Sequence, residues 1–262
     1  MRIVIFTSNA VRHKYVANTL AAHADEALAI IECKDNDARE AESLANQTLT
    51  SLQEHFLLRY KTEKEFFPGN DILRMSVLPI IWKEASLNIV YQAVKDFNPD
   101  AVFVFGASIL KERLISLIPP GRFINMHLGL SPYYRGSGTN FWPFVNDELE
   151  YVGSTILHLD AGIDTGDIIA HVRPEIEAGD NVHTVGNKVI RDSTMALVKI
   201  IEMLRTGKEL HRTKQWDVPE SRYYKSSDFN EEVLAKYKEN LASGMIERYV
   251  KNPKKDIKIL SL

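Results

Sequence analysis

Cysteine is almost absent from this chain of 262 residues, in which Cys33 is the only one. A single thiol cannot build an intramolecular disulfide framework or a cysteine-rich zinc site. Such scarcity fits a reducing compartment, so we expect a cytoplasmic protein. Cys33 itself should behave as a small buried hydrophobe.

Long apolar runs are missing as well. The N-terminal run covers only Arg2 to Thr7 before charge returns at Arg12, which is too short for the hydrophobic part of a signal peptide. No later stretch approaches the ~20 apolar residues of a membrane-spanning helix. We therefore expect a soluble protein that does not contact a membrane.

Charge of one sign is not in excess. The 32 Lys and Arg residues face 35 Asp and Glu residues, and the formal net charge is −3. This balance produces no strong field that would attract a polyanion. Nucleic acid is accordingly not the expected partner.

Two ligand motifs are also lacking. After the first β-rich run the chain reads Thr7-Ser8-Asn9-Ala10 in place of Gly-x-Gly-x-x-Gly, which disfavours dinucleotide binding. The aspartate-rich stretch 160–167 lacks the Asp-x-Asp-x-Asp-Gly spacing of an EF-hand and the Glu that closes such a loop. We expect no metal site.

What is present is an alternation of β-rich runs with helix-forming segments. Strands are predicted at residues 2–7, 28–31, 101–105, 122–127, 152–159 and 168–172. Helices are predicted after Asn9, within 37–67 as one long or broken helix, before Asn98, from Val182 to Leu204 with an Asp180 cap, and from Asn230 to Tyr249.

This order predicts an α/β fold with a doubly wound, mostly parallel, Rossmann-like sheet. We place one large domain at residues 1–207, ending at Gly207, and a small C-terminal extension with a terminal helix at 208–262.

The sequence Asn125-Met126-His127 is the first candidate for chemistry. Residues two apart in a strand point to the same face, and these two stand at the carboxyl end of a predicted strand, where open α/β sheets place their sites. Taken alone, a histidine at a strand end is more often a structural residue, and an Asp/Gly-rich connection such as 160–167 is usually only a turn.

The combination is more specific, because Asn-Met-His is followed by a Pro-x-x-x-Gly loop at 132–136 and by Asp-x-Gly-Ile-Asp-Thr-Gly-Asp-Ile at 160–168. Together these motifs resemble the folate-dependent formyltransferases, which include glycinamide ribonucleotide, methionyl-tRNA and nucleotide-sugar formyltransferases. The resemblance is close from Ala101 to Val172 and poor beyond Gly207. One departure is clear: many members have Ser-Leu-Leu-Pro after the histidine, whereas this chain has Gly-Leu-Ser-Pro at 129–132.

The resemblance implies the Rossmann-like formyltransferase fold and a catalytic set of Asn125, His127 and Asp164. Asn125 would donate to the oxyanion formed when an amine attacks a formyl carbon, and His127 would donate to the same oxygen and carry a proton. Asp164 would orient His127. No metal is implied.

The resemblance also implies that 10-formyltetrahydrofolate is the formyl donor. Its pterin-like head would lie along two segments of backbone near the strand ends. The residues assigned to it are Phe105, Gly106, Ala107, Ile109, Leu110, Asp160, Gly162 and Ile163.

The acceptor that fits best is a nucleotide-linked amino sugar of the kind used for surface polysaccharides, because the N-terminal Ser-Asn-x-x-x-His-Lys-Tyr and the Leu-Ser-Pro-Tyr-Tyr-Arg-Gly loop look most like sugar N-formyltransferases. The candidate contacts are Arg12, Lys14 and Arg135 for the phosphates and Tyr133, Tyr134 and Trp142 for the apolar faces. Two plainer readings stay open, since residues 12–14 suit a solvated helix start equally well and clustered aromatic residues usually pack as core.

Other functions also remain open at this stage. A methionyl-tRNA enzyme is disfavoured by the net charge and by a tail of only 55 residues after Gly207. The same catalytic set could direct water at the formyl donor, as in a hydrolase, or serve another small amine. A catalytically silent folate- or nucleotide-binding module and a homodimer are the remaining alternatives.

Overall fold

The computed structural model describes residues 1–34, 48–159, 166–253 and 256–262, and in them nine strands and eight α-helices. The strands are β1 Arg2–Ser8, β2 Glu26–Cys33, β3 Ser76–Ile81, β4 Ala101–Val104, β5 Phe123–Leu128, β6 Tyr134–Gly136, β7 Ser154–His158, β8 Ile168–Val172 and β9 Arg222–Tyr224. The helices are α1 Val11–Ala22, α2 Ser51–Phe66, α3 Asn88–Phe97, α4 Glu112–Ile115, α5 Trp142–Val145, α6 Val182–Arg205, α7 Glu231–Ala242 and α8 Met245–Lys251.

Seven strands form the central sheet in the order β3-β2-β1-β4-β5-β7-β8. The first five are parallel, whereas β7 runs antiparallel to β5 and β8 antiparallel to β7. The strand order reverses between β1 and β4, which is the topological switch point of a doubly wound fold. The predicted α/β, mostly parallel sheet is confirmed. The edge strand β3 escaped prediction, because Pro79 weakens its pattern.

Both faces of the sheet are covered by helices. Alternate residues of β1 point to opposite faces, so Ile3 and Ile5 join α1 and α6 in one core while Val4 and Phe6 join α3 in another. All four side chains are at most 1% exposed. A strand buried on both faces reads as a continuous apolar run, which is why the opening of this sequence predicted β1 so clearly.

A separate third core joins the C-terminal extension to the rest of the molecule. Leu234 and Tyr237 of α7 and Met245 of α8 pack with Phe141 and Phe144 of the segment around α5. A second, two-stranded sheet pairs β6 with β9 in parallel. Residues after Gly207 therefore share a core with residues before it.

The structure corrects several local expectations. The cap of α6 is Asn181, whose side chain accepts from two backbone amides, while Asp180 accepts from Thr184 Oγ1. The predicted terminal helix is broken into α7 and α8 at Gly244, where φ is +78°. Of the helix predicted within 37–67, the part at 37–47 lies outside the described residues.

Two side chains differ from expectation in their exposure. Cys33 is exposed rather than buried, because it stands at the end of β2 where the buried stretch of the strand stops. The polar sequence around His55 predicts that its side chain lies on the surface. Instead it packs against His183, with ring centroids 4.5 Å apart. Within the described residues, no helix is both long and apolar enough to cross a membrane.

Candidate active site

Asn125 and His127 lie on β5, at the line where the parallel part of the sheet meets its antiparallel part. Asn125 is in register with Val104 of β4 and Leu157 of β7, and His127 is opposite Thr155. Both side chains are half-buried, whereas Met126 between them is 2% exposed and belongs to the core. The alternation therefore directs both polar groups to the same face, as the sequence predicts.

The loop after β5 is held rigidly by β7. Thr155 Oγ1 donates to the Gly129 carbonyl at 2.6 Å and accepts from the Ser131 amide at 2.8 Å. The Gly129 amide donates to the Gly153 carbonyl at 2.8 Å. Because Thr155 is fully buried, these bonds are shielded from water and fix the course of the chain just beyond His127.

A second threonine lies against the catalytic candidate. Thr139 Oγ1 is 3.5 Å from His127 Nε2, and Thr139 is 2% exposed. Gly129 leaves room for this contact, since a Cβ at residue 129 would lie 2.6 Å from Thr139 Cβ and 3.0 Å from His127 Nε2.

The third predicted catalytic residue, Asp164, lies outside the described residues, as do the predicted folate contacts Asp160, Gly162 and Ile163. Their roles remain predictions. The residue that follows this segment is held by the C-terminal extension, because Gln215 Nε2 donates to the Gly166 carbonyl at 3.2 Å.

The first predicted folate segment follows β4 and is fastened to β2. Lys34 Nζ donates to the Gly106 carbonyl at 2.8 Å, and the Ser108 amide donates to the buried Glu32 carboxylate at 2.8 Å. The segment contains the predicted contacts Phe105 and Leu110, which are buried, Ala107, which is half-buried, and Gly106 and Ile109, which are exposed. Ile109 is 66% exposed, so the segment offers an apolar side chain to solvent beside a fixed backbone.

A buried histidine supports this segment from α1. The ring of His13 meets Phe105 edge to face at 4.7 Å, and a Cβ on Gly106 would lie 2.7 Å from its Nε2. Burial, with the nearby charges of Arg12 and Lys34, holds the pKa of His13 well below its ordinary value. His13 is therefore a neutral packing group at neutral pH.

A cavity of about 360 Å³ opens beside the start of β5 and the end of β7. Its walls include Ile115 and Phe123, which are apolar, and Leu159 and Gly166, which stand on either side of residues 160–165. Arg212 of the extension forms another part of the wall and lies 3.6 Å from Asp167 Oδ2.

The two N-terminal cations predicted to meet acceptor phosphates already have partners. The guanidinium of Arg12 forms an ion pair with Glu63, a carboxylate whose side chain is 3% exposed, and the Arg12 amide also points to it at 3.4 Å. Lys14 Nζ donates to the Asp71 carbonyl at 2.7 Å. The negative charge beside the start of α1 therefore comes from Glu63, whereas the sequence predicts that it comes from the phosphates of a ligand.

The predicted aromatic contacts pack within the protein. Tyr134 is 1% exposed and donates to Glu148, and burial raises the pKa of its hydroxyl. Trp142 is 4% exposed and stacks on Tyr224 with centroids 4.0 Å apart. Tyr133 is half-buried, and its hydroxyl bonds to the backbone of residue 258. The structure gives these rings a role in joining the extension to the loop after β5.

Arg135 is the third cation predicted to contact the acceptor. In the described part of the chain no carboxylate lies within 4.0 Å of its guanidinium, and its Nε is buried without a hydrogen-bond partner. It stands on β6, directly after the loop that Thr155 fixes.

Sequence reasoning missed three residues of this region, namely Thr139, Thr155 and Glu63. Thr155 carries a usable signal, because it is the second residue after Gly153 in a strand predicted to pair beside His127. Thr139 and Glu63 carry no such signal. Each acts through a contact between segments that are 12 and 51 residues apart along the chain.

Comparison with known proteins now decides the family. The family model described as "Formyl transferase" matches residues 1–201. The chain belongs to this family. One relative, the methionyl-tRNA formyltransferase of Desulforamulus reducens, is 32% identical over 118 residues, which cover 45% of this chain and 37% of that protein. The chain therefore matches well under half the length of that curated relative.

Solved structures agree with this fold. A 4-N formyltransferase from Francisella tularensis superposes with a TM-score of 0.56 at 20% identity, covering 87% of this chain and 77% of that one. The N-formyltransferase from Helicobacter canadensis, solved with folinic acid and dTDP-3-aminofucose, gives 0.53 at 19% identity and covers 88% and 73%. At such identities the likeness establishes the formyltransferase fold alone.

Proposed function

We propose that this member of the formyltransferase family transfers a formyl group from 10-formyltetrahydrofolate to the amino group of a nucleotide-linked amino sugar. The observation that carries the proposal is the placement of Asn125 and His127 on one face of β5, beside a rigid loop, in a chain of this family. Those are the groups that an acyl transfer to an amine requires.

The proposed chemistry follows from these groups. The neutral amine attacks the formyl carbon, and the carbonyl electrons move to oxygen, where Asn125 and His127 donate hydrogen bonds to the negative charge. Collapse of the intermediate breaks the bond to folate N10. The amine gives up one proton and N10 receives one, with His127 as the carrier and Asp164 orienting it. The products are a formamide and tetrahydrofolate.

The donor site is proposed at residues 105–110, which follow the carboxyl end of β4, and at residues 160–163. Lys34 and Glu32 hold the first of these segments in place. Folinic acid, a formylated folate, is bound by the Helicobacter canadensis protein, which has the same fold.

The acceptor is the finer part of the proposal. The relative from Desulforamulus reducens is a methionyl-tRNA formyltransferase whose similarity covers 45% of this chain, and the Helicobacter canadensis protein, which shares the fold, was solved with dTDP-3-aminofucose. The net charge of −3 also disfavours a polyanionic RNA. Arg135 supplies the cation that a diphosphate group needs.

Incubation with 10-formyltetrahydrofolate and one acceptor at a time tests this function. The acceptors are nucleotide-linked amino sugars, free amino acids, methionyl-tRNA, and water alone, with folate release followed by absorbance and product mass by spectrometry. We expect release to depend on an amino sugar and to persist with a chelator present. Release with water alone would identify a hydrolase, and release only with charged tRNA would overturn the sugar assignment.

A further inference from the structure

The loop after β5 differs from the family pattern at residue 129, the first residue after the strand that carries His127. Many members carry serine two residues after the histidine, whereas this chain has Gly129. The φ of Gly129 is +139°, a value that disfavours any other residue there. Serine at 129 would also place its Cβ 2.6 Å from Thr139 Cβ. Residue 129 therefore cannot offer a side chain to His127 without moving Thr139.

We propose that Thr139 supplies the hydroxyl that positions His127, in place of a side chain at residue 129. This inference rests on the proposed formyl transfer and deepens it. The position where a Cβ of residue 129 would stand is 2.7 Å from Thr139 Oγ1 and 3.0 Å from His127 Nε2, so the threonine hydroxyl occupies the space beside the imidazole that Gly129 leaves open.

Thr139 has little else to bond. It is 2% exposed, and within the described residues His127 Nε2 at 3.5 Å is the hydrogen-bond partner that its hydroxyl has. A buried hydroxyl without a partner would cost free energy. The contact is long for a hydrogen bond.

The segment around Thr139 is rigid enough to fix a ring. The Gly153 amide donates to Asn140 Oδ1 at 3.1 Å, and Trp142 Nε1 donates to the Ser137 carbonyl at 2.9 Å. The Phe141 amide donates to the Gly138 carbonyl at 2.8 Å. The first bond ties Asn140 to the residue before β7, and the other two close the turn that contains Thr139, so its hydroxyl has a defined position.

A hydroxyl suits this position because it both donates and accepts. It can donate to neutral Nε2 or accept from protonated Nε2, so the contact survives while His127 gains and loses a proton. Replacing the hydroxyl by a methyl group would keep the shape of the side chain but remove a group that can bond to either tautomer of His127. Thr139 is accordingly a positioning residue that acts through His127.

The test compares Thr139→Val, which keeps the shape, with Thr139→Ser, which keeps the hydroxyl. Thr194→Val is the matched control, because Thr194 is equally buried but bonds to the Ile190 carbonyl within α6. Two readouts are used: turnover across pH, and the tautomer and pKa of His127 from nitrogen-15 spectra, with its signals assigned by their loss in His127→Gln.

We expect Thr139→Val to lower kcat by about three- to tenfold, as loss of one hydrogen bond would, with little change in KM. It should also shift the His127 tautomer balance and the pH profile, while Thr139→Ser stays within about twofold of the parent. If Thr139→Val leaves the His127 spectrum as Thr194→Val does, or if Thr139→Ser is as impaired as Thr139→Val, the inference is overturned. The spectra report this even if the parent protein formylates none of the acceptors, so failure of the proposed function is distinguishable.

Discussion

At the scale of single residues, the candidate side chains differ in their burial and in the partners that the fold gives them. Asn125 and His127 are half-buried on β5, where the protein can orient them and a ligand can still reach them. Arg12 is a candidate contact for acceptor phosphates in the sequence, but in the structure it forms an ion pair with Glu63. The difference arises because α2, far along the chain, brings a buried carboxylate to the start of α1.

The first prediction concerns the catalytic set. His127→Ala, Asn125→Ala and Asp164→Asn should each lower turnover by at least about 100-fold, because each removes a group that acts on the transition state. The free energy of unfolding should change little. Asp217→Asn, an exposed aspartate, is the control for the charge change. Any folded variant of the three that keeps more than about a tenth of the parent kcat would remove that residue from the assignment.

The second prediction concerns the acceptor. Arg135→Ala should raise KM for a nucleotide-linked amino sugar more than it lowers kcat, because a phosphate contact binds ground and transition states alike. The parent KM should also rise with salt. Arg205→Ala is the control, since that arginine pairs with Asp25, which precedes the amino end of β2, an inner strand of the central sheet. An unchanged KM in Arg135→Ala would exclude this residue from acceptor binding.

At the scale of elements, the packing of α2 against α6 brings two histidines together. His55 of α2 and His183 of α6 have ring centroids 4.5 Å apart, beside Phe141. Burial and the nearby Arg59 lower the pKa of His55 to about 4, and burial with the charge of His55 lowers that of His183 to about 3. Both groups are therefore neutral in the folded protein near pH 7.

The third prediction follows from this pair. An unfolded histidine has a pKa of ~6.5. Below that pH the unfolded chain therefore binds protons at these two histidines, whereas the folded chain does not. Stability is fully present above pH 6.5 and falls as pH decreases toward 4, by about 1.4 kcal/mol per pH unit for each such group. His183→Phe should reduce the slope of this decline by the contribution of one histidine.

Urea unfolding at pH 7.5, 6.5 and 5.5 measures the decline for the third prediction. His211→Phe is the control, because the side chain of His211 is exposed. Equal slopes for the parent and His183→Phe would show that His183 does not contribute to the pH dependence of folding.

At the scale of the whole molecule, the C-terminal extension completes the core around α5. Nε of Arg222 in β9 donates to the Glu148 carboxylate at 3.0 Å, and Glu148 also accepts from Tyr134 of β6. Asn240 Nδ2 of α7 donates to the carbonyls of Phe144 and Val145, near the end of α5. These contacts join the extension to the segment that carries Arg135 and Thr139.

The fourth prediction is that the extension and the rest of the chain unfold together. Leu234 of α7 is 0% exposed, so Leu234→Ala should lower the free energy of unfolding by about 2–5 kcal/mol in one transition. Leu58→Ala, at a 51% exposed leucine, should cost far less. Calorimetry distinguishes the outcomes, since two separate transitions would mean that residues 208–262 form an independent unit.

The sequence by itself determined the strands that are buried on both faces and the pair on β5. Continuous apolar runs such as Arg2 to Thr7 have few stable alternatives to a central strand, and a spacing of two within a strand places Asn125 and His127 on one face whatever surrounds them. The motifs from Asn125 to Ile168 also indicated the family, which the match over residues 1–201 confirms.

Only the tertiary structure determined which of the other candidate side chains are buried or paired. Burial of Tyr134 and Trp142, pairing of Arg12 with Glu63 and the approach of Thr139 to His127 are contacts between segments distant in sequence or across a folded loop. Local pattern cannot fix them, because the same polar or aromatic residue is stable either on a surface or in a core that supplies a partner. Which of the two occurs depends on how α2, α6 and the C-terminal extension pack against the sheet.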